Sequence, residues 1–223
     1  SCDPDGFATK DEVAAYMEDY AKQIDAPVRT GVDVTSVTRL EGRQGFRAET
    51  SAGPIEADYV VAATGPFHHP LMPDLVPESA GVTQIHSVDY RNPAQLPDGA
   101  VLVVGAGSSG GQIAAELRKA GRDVYLSVGP HGRPPRSYRG RDYCWWLGVL
   151  NKWDAESTPG VEHVTISVSG AEGGHTVDFR ELAAAGITLL GRTGTYKDGK
   201  LSFAPDLAKN IAEGDRNYLA VLD

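Results

Sequence analysis

The stretch VLVVGAGSSGGQIAAEL, Val101 to Leu117, constrains the fold more than any other part of the chain. Val101-Leu102-Val103-Val104 is a short unbroken apolar run, as expected of a parallel strand buried on both faces. Gly105-Ala106-Gly107-Ser108-Ser109-Gly110 then matches G-x-G-x-x-G without a gap. The first glycine permits a tight turn, the second lets backbone approach a pyrophosphate, and the third lets helix pack closely on strand. Ser109, followed three residues later by Gln112, reads as a capping box, so a helix is expected to begin about there. Ile113, Ala114 and Leu117 form its apolar face, Arg118 and Lys119 suit the negative end of the helix dipole, and Gly121 supplies the stop. Val124-Tyr125-Leu126-Ser127-Val128 follows as a second strand. The unit is β-α-β, with unpaired N–H groups at the helix start available to a phosphate. A tight structural turn is the competing reading of the same residues.

The end of the second strand bears on which dinucleotide is held. An NAD site usually has Asp or Glu there to accept from the ribose 2′-OH. Here Asp123 lies at the beginning of the strand, and the far end reads Ser127-Val128-Gly129-Pro130. Next comes HGRPPRSYRGR, which gathers His131, Arg133, Arg136, Arg139 and Arg141. Guanidinium groups hold phosphate in a bidentate fork, so the loop suits the 2′-phosphate of NADPH, with Arg133 and Arg136 as the expected ligands. A solvated basic loop on an acidic protein is the alternative.

With 223 residues the chain can hold one large domain or two small ones. A net charge of −9 argues against general affinity for nucleic acid or an anionic membrane, so the arginine cluster is local. No apolar run is long enough to span a bilayer and no signal peptide is evident. Cys2 and Cys144 form no C-x-x-C pair, which excludes a dithiol relay of the thioredoxin-reductase kind and fits a reducing, cytoplasmic setting. The six histidines show no metal spacing, and the adjacent His68-His69 pair reads as a loop feature.

Ahead of the glycine turn, Thr9-Lys10-Asp11-Glu12 is another capping box. Val13, Tyr16, Met17, Tyr20 and Ile24 then recur at helical spacing, a stripe expected to pack in a core. VDVTSVTRL, GFRAET and ADYVVAATG read as a small antiparallel meander leading into a final buried strand, Tyr59 to Ala63. Irregular chain follows through Pro66, Pro70, Pro73 and Pro77. Beyond the second strand, RGRDYCWWLGVLNKW is expected to pack its aromatic residues through a short helix, with a substrate-facing wall or a membrane-surface patch as the functional alternatives. HVTISV is a buried-strand candidate. Phe179 to Ala185 reads as a brief helix and ITLLG as the strand after it. Lys197-Asp198-Gly199-Lys200 is a hairpin turn, and Pro205 leads into a helix over DLAKNIAEGD. Strands alternating with helices after residue 100 predict an α/β, doubly wound sheet.

Taken together, DEVAAYMEDYA, VVAATG, HSVDYRNP and VLVVGAGSSG resemble the flavin-containing monooxygenase superfamily, in which a dinucleotide fold for NADPH is inserted into one for FAD. The resemblance runs from about Phe7 to the end and includes FRELAAAGITLLGR. HSVDYRNP together with RPPRSYRGRD is its more specific part. The family's F-x-G-x-x-x-H-x-x-x-(F/W/Y) signature is matched in its second half by His86-x-x-x-Tyr90. Gly81 stands one residue further from the histidine than usual, and Ser79 replaces the leading aromatic. The Baeyer–Villiger branch usually carries Trp followed by Pro or Asp where this chain has Tyr90-Arg91, so the branch stays open. His86 is implied to support a domain junction, or is an ordinary hydrogen-bonded histidine.

The resemblance makes the glycine turn the second of two. The turn for the FAD pyrophosphate is then expected upstream of Ser1, and the chain's return to the FAD fold beyond Asp223. Residues 1–95 would be a partial FAD-domain segment and 96–223 the Rossmann-like NADPH-binding domain. The implied chemistry is hydride transfer from NADPH to FAD, activation of dioxygen by the reduced flavin, and delivery of one oxygen atom to a nucleophilic or carbonyl small-molecule substrate. Gly105, Gly107, Ser108, Ser109 and Gly110 should line the pyrophosphate. No general base is identifiable, no metal is expected, and the segment alone is expected to be inactive, with the remainder of the FAD domain as its partner. An NADPH-dependent flavin reductase and a non-catalytic nucleotide-binding module are the rival readings.

Overall fold

A computed structural model describes residues 6–65, 69–156 and 165–220. Cys2, Pro66, His68, and His163 and Val164 of the expected HVTISV strand lie outside the described residues. Two compact units make up the chain: Ala8–His69, and Pro70–Asp223 together with Ser1–Phe7.

In the smaller unit, α1 (Lys10–Gln23) starts at the expected capping box. Thr9 Oγ1 accepts from the Glu12 amide at 3.3 Å, and the Glu12 carboxylate accepts from the Thr9 amide at 2.8 Å. Those Thr9 hydrogen bonds hold the Glu12 carboxyl below its ordinary range. The apolar stripe, however, is not packed: α1 has no buried residue, and Val13, Tyr16, Met17, Tyr20 and Ile24 are all exposed. The meander is β1 (Val34–Arg39), β2 (Phe46–Thr50) and β3 (Ile55–Ala57), antiparallel in that order, with Val37 opposite Ala48 and Phe46 opposite Ala57. The strand expected over 59–63 does not form. Those residues are irregular and exposed, Val61 at 86%. A doubly buried strand exists only between hydrogen-bonding neighbours, and among the described residues none flanks this segment.

The larger unit carries the parallel sheet. β4 (Val101–Val104) leads through the glycine turn into α2 (Ser108–Lys119), and β5 (Val124–Ser127) returns beside β4 with Val103 opposite Leu126. Short elements follow: β6 (His131–Gly132), β7 (Ser137–Tyr138), β8 (Arg141–Asp142) and α3 (Tyr143–Val149), then β9 (Thr165–Ile166), β10 (Val168–Ser169) and β11 (His175–Thr176). α4 (Phe179–Ala184) brings the chain to β12 (Thr188–Leu190), parallel to β5 on its other side. The strand order β12-β5-β4 gives the α/β class expected. Ala114 and Leu117 of α2, Leu126 and Val128 of β5 and its extension, Phe179 of α4 and Ile187 close the core, all nearly inaccessible.

The unit ends with the predicted hairpin, β13 (Thr193–Lys197) and β14 (Lys200–Phe203). Asp198 and Gly199 both take positive φ, as a two-residue hairpin turn of this hand requires. α5 (Leu207–Arg216) follows Pro205. The tryptophan segment differs from expectation. α3 is capped by Asp142 and buries Tyr143, but Trp145 is 45% and Trp153 63% exposed. Two turns of helix with aromatics at mixed spacing cannot bring all of them to one side. Among the described residues no helix is long and apolar enough to cross a membrane.

Candidate dinucleotide site

The glycine turn forms much as its spacing demands. Gly105 has φ +99°, and its amide donates to the Ser127 carbonyl at 3.2 Å, so the turn is anchored to the adjacent strand end. A Cβ on Gly110 would fall far inside van der Waals contact with the Gly105 carbonyl oxygen, with no side chain there to yield. The helix begins at Ser108, within one residue of expectation, but its cap differs. Gly107 is the N-cap, in extended backbone, and no side chain caps the helix. The expected capping box of Ser109 and Gln112 is absent because Ser109 lies inside the helix, past the Gly107 N-cap, and Gln112 Nε2 donates to Ser169 Oγ at 3.2 Å. The first intrahelical bond runs from the Gly111 amide to the Gly107 carbonyl, so the amides of Ser108, Ser109 and Gly110 precede the helix ladder. Gly105 and Ser109 are exposed, which leaves part of the turn open.

The other side of the turn is covered by 166–169. Ser108 Oγ donates to the Ile166 carbonyl at 3.0 Å and accepts from the Val168 amide at 3.3 Å. Ser167, fully buried, donates from Oγ to the Ala106 carbonyl at 2.6 Å. None of these contacts was readable in the sequence, since the partners lie some sixty positions apart and nothing in HVTISV marks a serine that bonds backbone.

The structure also places the arginine loop. At the end of β5, Ser127 is buried and donates to the Gly191 carbonyl, and beyond it His131 is buried edge-on to Phe179 at 4.6 Å. Burial lowers the His131 pKa, its hydrogen bond to the Gly129 carbonyl opposing. Arg133 donates from its two terminal nitrogens to Asp178 at 2.8 Å and Asp215 at 2.6 Å, and its guanidinium lies over the Tyr218 ring. Arg136 bonds Asp142 through Nε at 2.7 Å and stacks over Phe7 at 4.5 Å. Both are largely buried. Arg139 stacks on Tyr138 and Arg141 on Trp145 near the exposed tip of β7–β8. The two cations expected to meet a 2′-phosphate therefore each have a carboxylate partner already.

His86 and Tyr90 tie the preceding segment together. His86 Nδ1 accepts from the Val88 amide at 3.2 Å, and Tyr90 donates its hydroxyl to Glu116 of α2 at 2.9 Å. Burial, then the Glu116 carboxylate, pushes the Tyr90 phenol well above its ordinary pKa. A groove of about 690 Å³ runs along this face of α2, lined by Tyr90, Ser109, Gln112, Glu116, His175 and Asp178 among others.

The sequence model of the pyridine nucleotide-disulphide oxidoreductases matches residues 3–147, the glycine turn and arginine loop included. The chain belongs to that family. The resemblance to flavin-containing monooxygenases holds within it. Flavin-containing monooxygenase FMO GS-OX1 of Arabidopsis thaliana is 30% identical over 122 residues, 52% of this chain and 27% of the plant protein. An uncharacterized oxidoreductase, CzcO-like, of Geobacillus kaustophilus is 44% identical over 154 residues, 67% of this chain and 43% of the relative. The solved flavin monooxygenase of Stenotrophomonas maltophilia, in a mutant form, superposes with a TM-score of 0.56 at 22% identity. The match covers 86% of this chain and 54% of that one, a likeness of fold. The chain thus spans about half the length, or less, of these family members.

Proposed function

We propose that this chain is the coenzyme-binding part of a flavin-dependent oxidoreductase, with NADPH held at the Gly105–Gly110 turn for hydride transfer to FAD. The observation that carries the reading is the Gly110 cradle: helix and glycine turn approach so closely that only glycine fits, while Gly105 and Ser109 stay exposed at the N-terminal end of α2, where a phosphate would be favoured. Gly105, Gly107, Ser108, Ser109 and Gly110 would line the pyrophosphate. Arg136 is the stronger candidate for the 2′-phosphate, because its bond to Asp142 uses Nε and leaves the terminal nitrogens of the fork. Arg133 has committed both terminal nitrogens to aspartates and stands behind it.

Residues 96–223 would form the NADPH part and 1–95 a segment of the FAD part, whose exposed α1 stripe and unpaired 59–63 segment suit contact with further FAD-domain structure in the parent chain. When bound, NADPH supplies a hydride; this chain's own residues bind and orient it. Oxygenation of a small-molecule substrate by the parent protein is supported by the monooxygenases among its relatives. The purified chain is expected to be colourless and to bind NADPH in preference to NADH by at least about tenfold, the worth of one charge-assisted contact. Arg136→Ala should remove that preference. Equal affinity of the unmutated chain for both coenzymes would defeat the 2′-phosphate assignment, and a stoichiometric flavin absorbance would defeat the division of labour.

A further inference from the structure

The contact between Ser167 and the glycine turn has a consequence for the turn's amides. Ser167 is completely buried, and its hydroxyl donates to the Ala106 carbonyl at 2.6 Å. In a planar trans peptide the carbonyl of one residue and the N–H of the next point in opposite directions. The Ala106 carbonyl turned toward Ser167 therefore directs the Gly107 N–H away from 166–169. Gly107, with φ −73° and ψ −174°, has no Cβ to bias its backbone, so local sterics alone would not hold that peptide against flipping. A flip would aim the carbonyl's partial negative charge where the N–H had been, and leave a buried hydroxyl without its acceptor. Neighbouring bonds keep Ser167 in place: Ser108 Oγ bonds Ile166 before it and Val168 after it, and Gln112 bonds Ser169 one residue further on.

We propose that Ser167 is a positioning residue for the dinucleotide site. It fixes the Ala106–Gly107 peptide in the orientation that presents the Gly107 N–H to the coenzyme diphosphate. The inference rests on the reading of the turn as a dinucleotide site and adds a determinant outside the β-α-β unit. Ser167 touches no ligand; it acts through one peptide plane.

The test uses the 223-residue chain labelled with ¹⁵N, titrated with NADP⁺ and separately with adenosine 2′-monophosphate, which lacks the diphosphate. In the unmutated chain the Gly107 amide resonance is expected to shift with NADP⁺ and to stay put with adenosine 2′-monophosphate. Ser167→Ala should weaken NADP⁺ by about tenfold, the equivalent of one amide–phosphate hydrogen bond, and leave adenosine 2′-monophosphate within about twofold. Ser167→Thr keeps the hydroxyl and should restore NADP⁺ binding to within about threefold of the unmutated chain. Unchanged NADP⁺ affinity in Ser167→Ala would overturn the inference while leaving the site intact. Equal weakening of both ligands would overturn it in favour of a general structural role. If no amide of Gly105 or Gly107–Gly110 shifts in the unmutated chain, the dinucleotide reading falls first and the inference with it.

Discussion

Gly110→Ala is expected to lower dinucleotide affinity by about a hundredfold or more and to destabilise the larger unit by about 1–3 kcal/mol. The cause is a collision of backbone with the new methyl group. Its Cβ would overlap the Gly105 carbonyl oxygen, which is fixed by the turn and by the Gly105 amide bond to Ser127. Relief requires α2 to move off β4, and that displaces the amides of Ser108–Gly110 from wherever a diphosphate sits. Gly111→Ala is the informative comparison. It carries the same gain in helix propensity, up to about 1 kcal/mol, but its Cβ would meet a methyl of Val177 at 2.9 Å, a side chain that can shift. Titration of NADPH and thermal melting of the two variants should show a large loss at position 110 and a small change at 111. Equal, small effects would mean that the third glycine sets nothing about the site.

Arg133→Ala is expected to cost about 1–3 kcal/mol of stability, between the values for exposed and buried ion pairs, with a smaller loss of NADPH affinity than Arg136→Ala. Arg133 joins Asp178, the N-cap of α4, to Asp215 near the end of α5, and Arg180 bonds Asp215 from the outside at 2.6 Å. Removing it leaves two carboxylates facing each other across the gap. The acid behaviour should change as well. The Arg180 hydrogen bond, then Arg133, holds the Asp215 carboxyl below 3.8, so this stabilisation is full above that value and lost as pH falls through the lowered folded value. His131 acts in the same direction over a milder range. Its folded pKa lies below 6.5, the unfolded chain binds the proton first, and stability declines as pH falls from about 6.5. Denaturant midpoints from about pH 7 to about pH 3 should therefore fall for the unmutated chain, with the part below about pH 4 reduced in Arg133→Ala. An Arg133→Ala variant of normal stability that has lost its NADPH preference would instead make Arg133 the phosphate ligand.

How far the sequence could be read depended on where each residue's partner lies. The β4 strand, the glycine turn, α2 and β5 follow from contacts within one β-α-β unit, and the hairpin at Asp198-Gly199 from two adjacent backbone angles. The helix start is legible to within one residue, but its cap is not: Ser109 and Gln112 match the pattern of a capping box, whereas Gly107 is the N-cap and Gln112 donates to Ser169, 57 positions away. Arginine clustering in HGRPPRSYRGR marks a run of cations in the sequence. It could not reveal that Asp178 and Asp215, 45 and 82 positions from Arg133, meet that charge. Apolar pattern likewise marked Tyr59–Ala63 and the α1 stripe as surfaces made for burial, but burial is a property of what packs on them.

We propose above all that the Gly105–Gly110 turn receives a dinucleotide diphosphate at the start of α2. A crystal structure of this chain grown with NADP⁺ tests it most directly. Diphosphate oxygens are expected within hydrogen-bonding distance of amides from Gly107 to Gly110, and the adenosine 2′-phosphate on the side of Arg136. Ordered NADP⁺ bound elsewhere on the chain, with the helix start closed over by packed side chains, would contradict it.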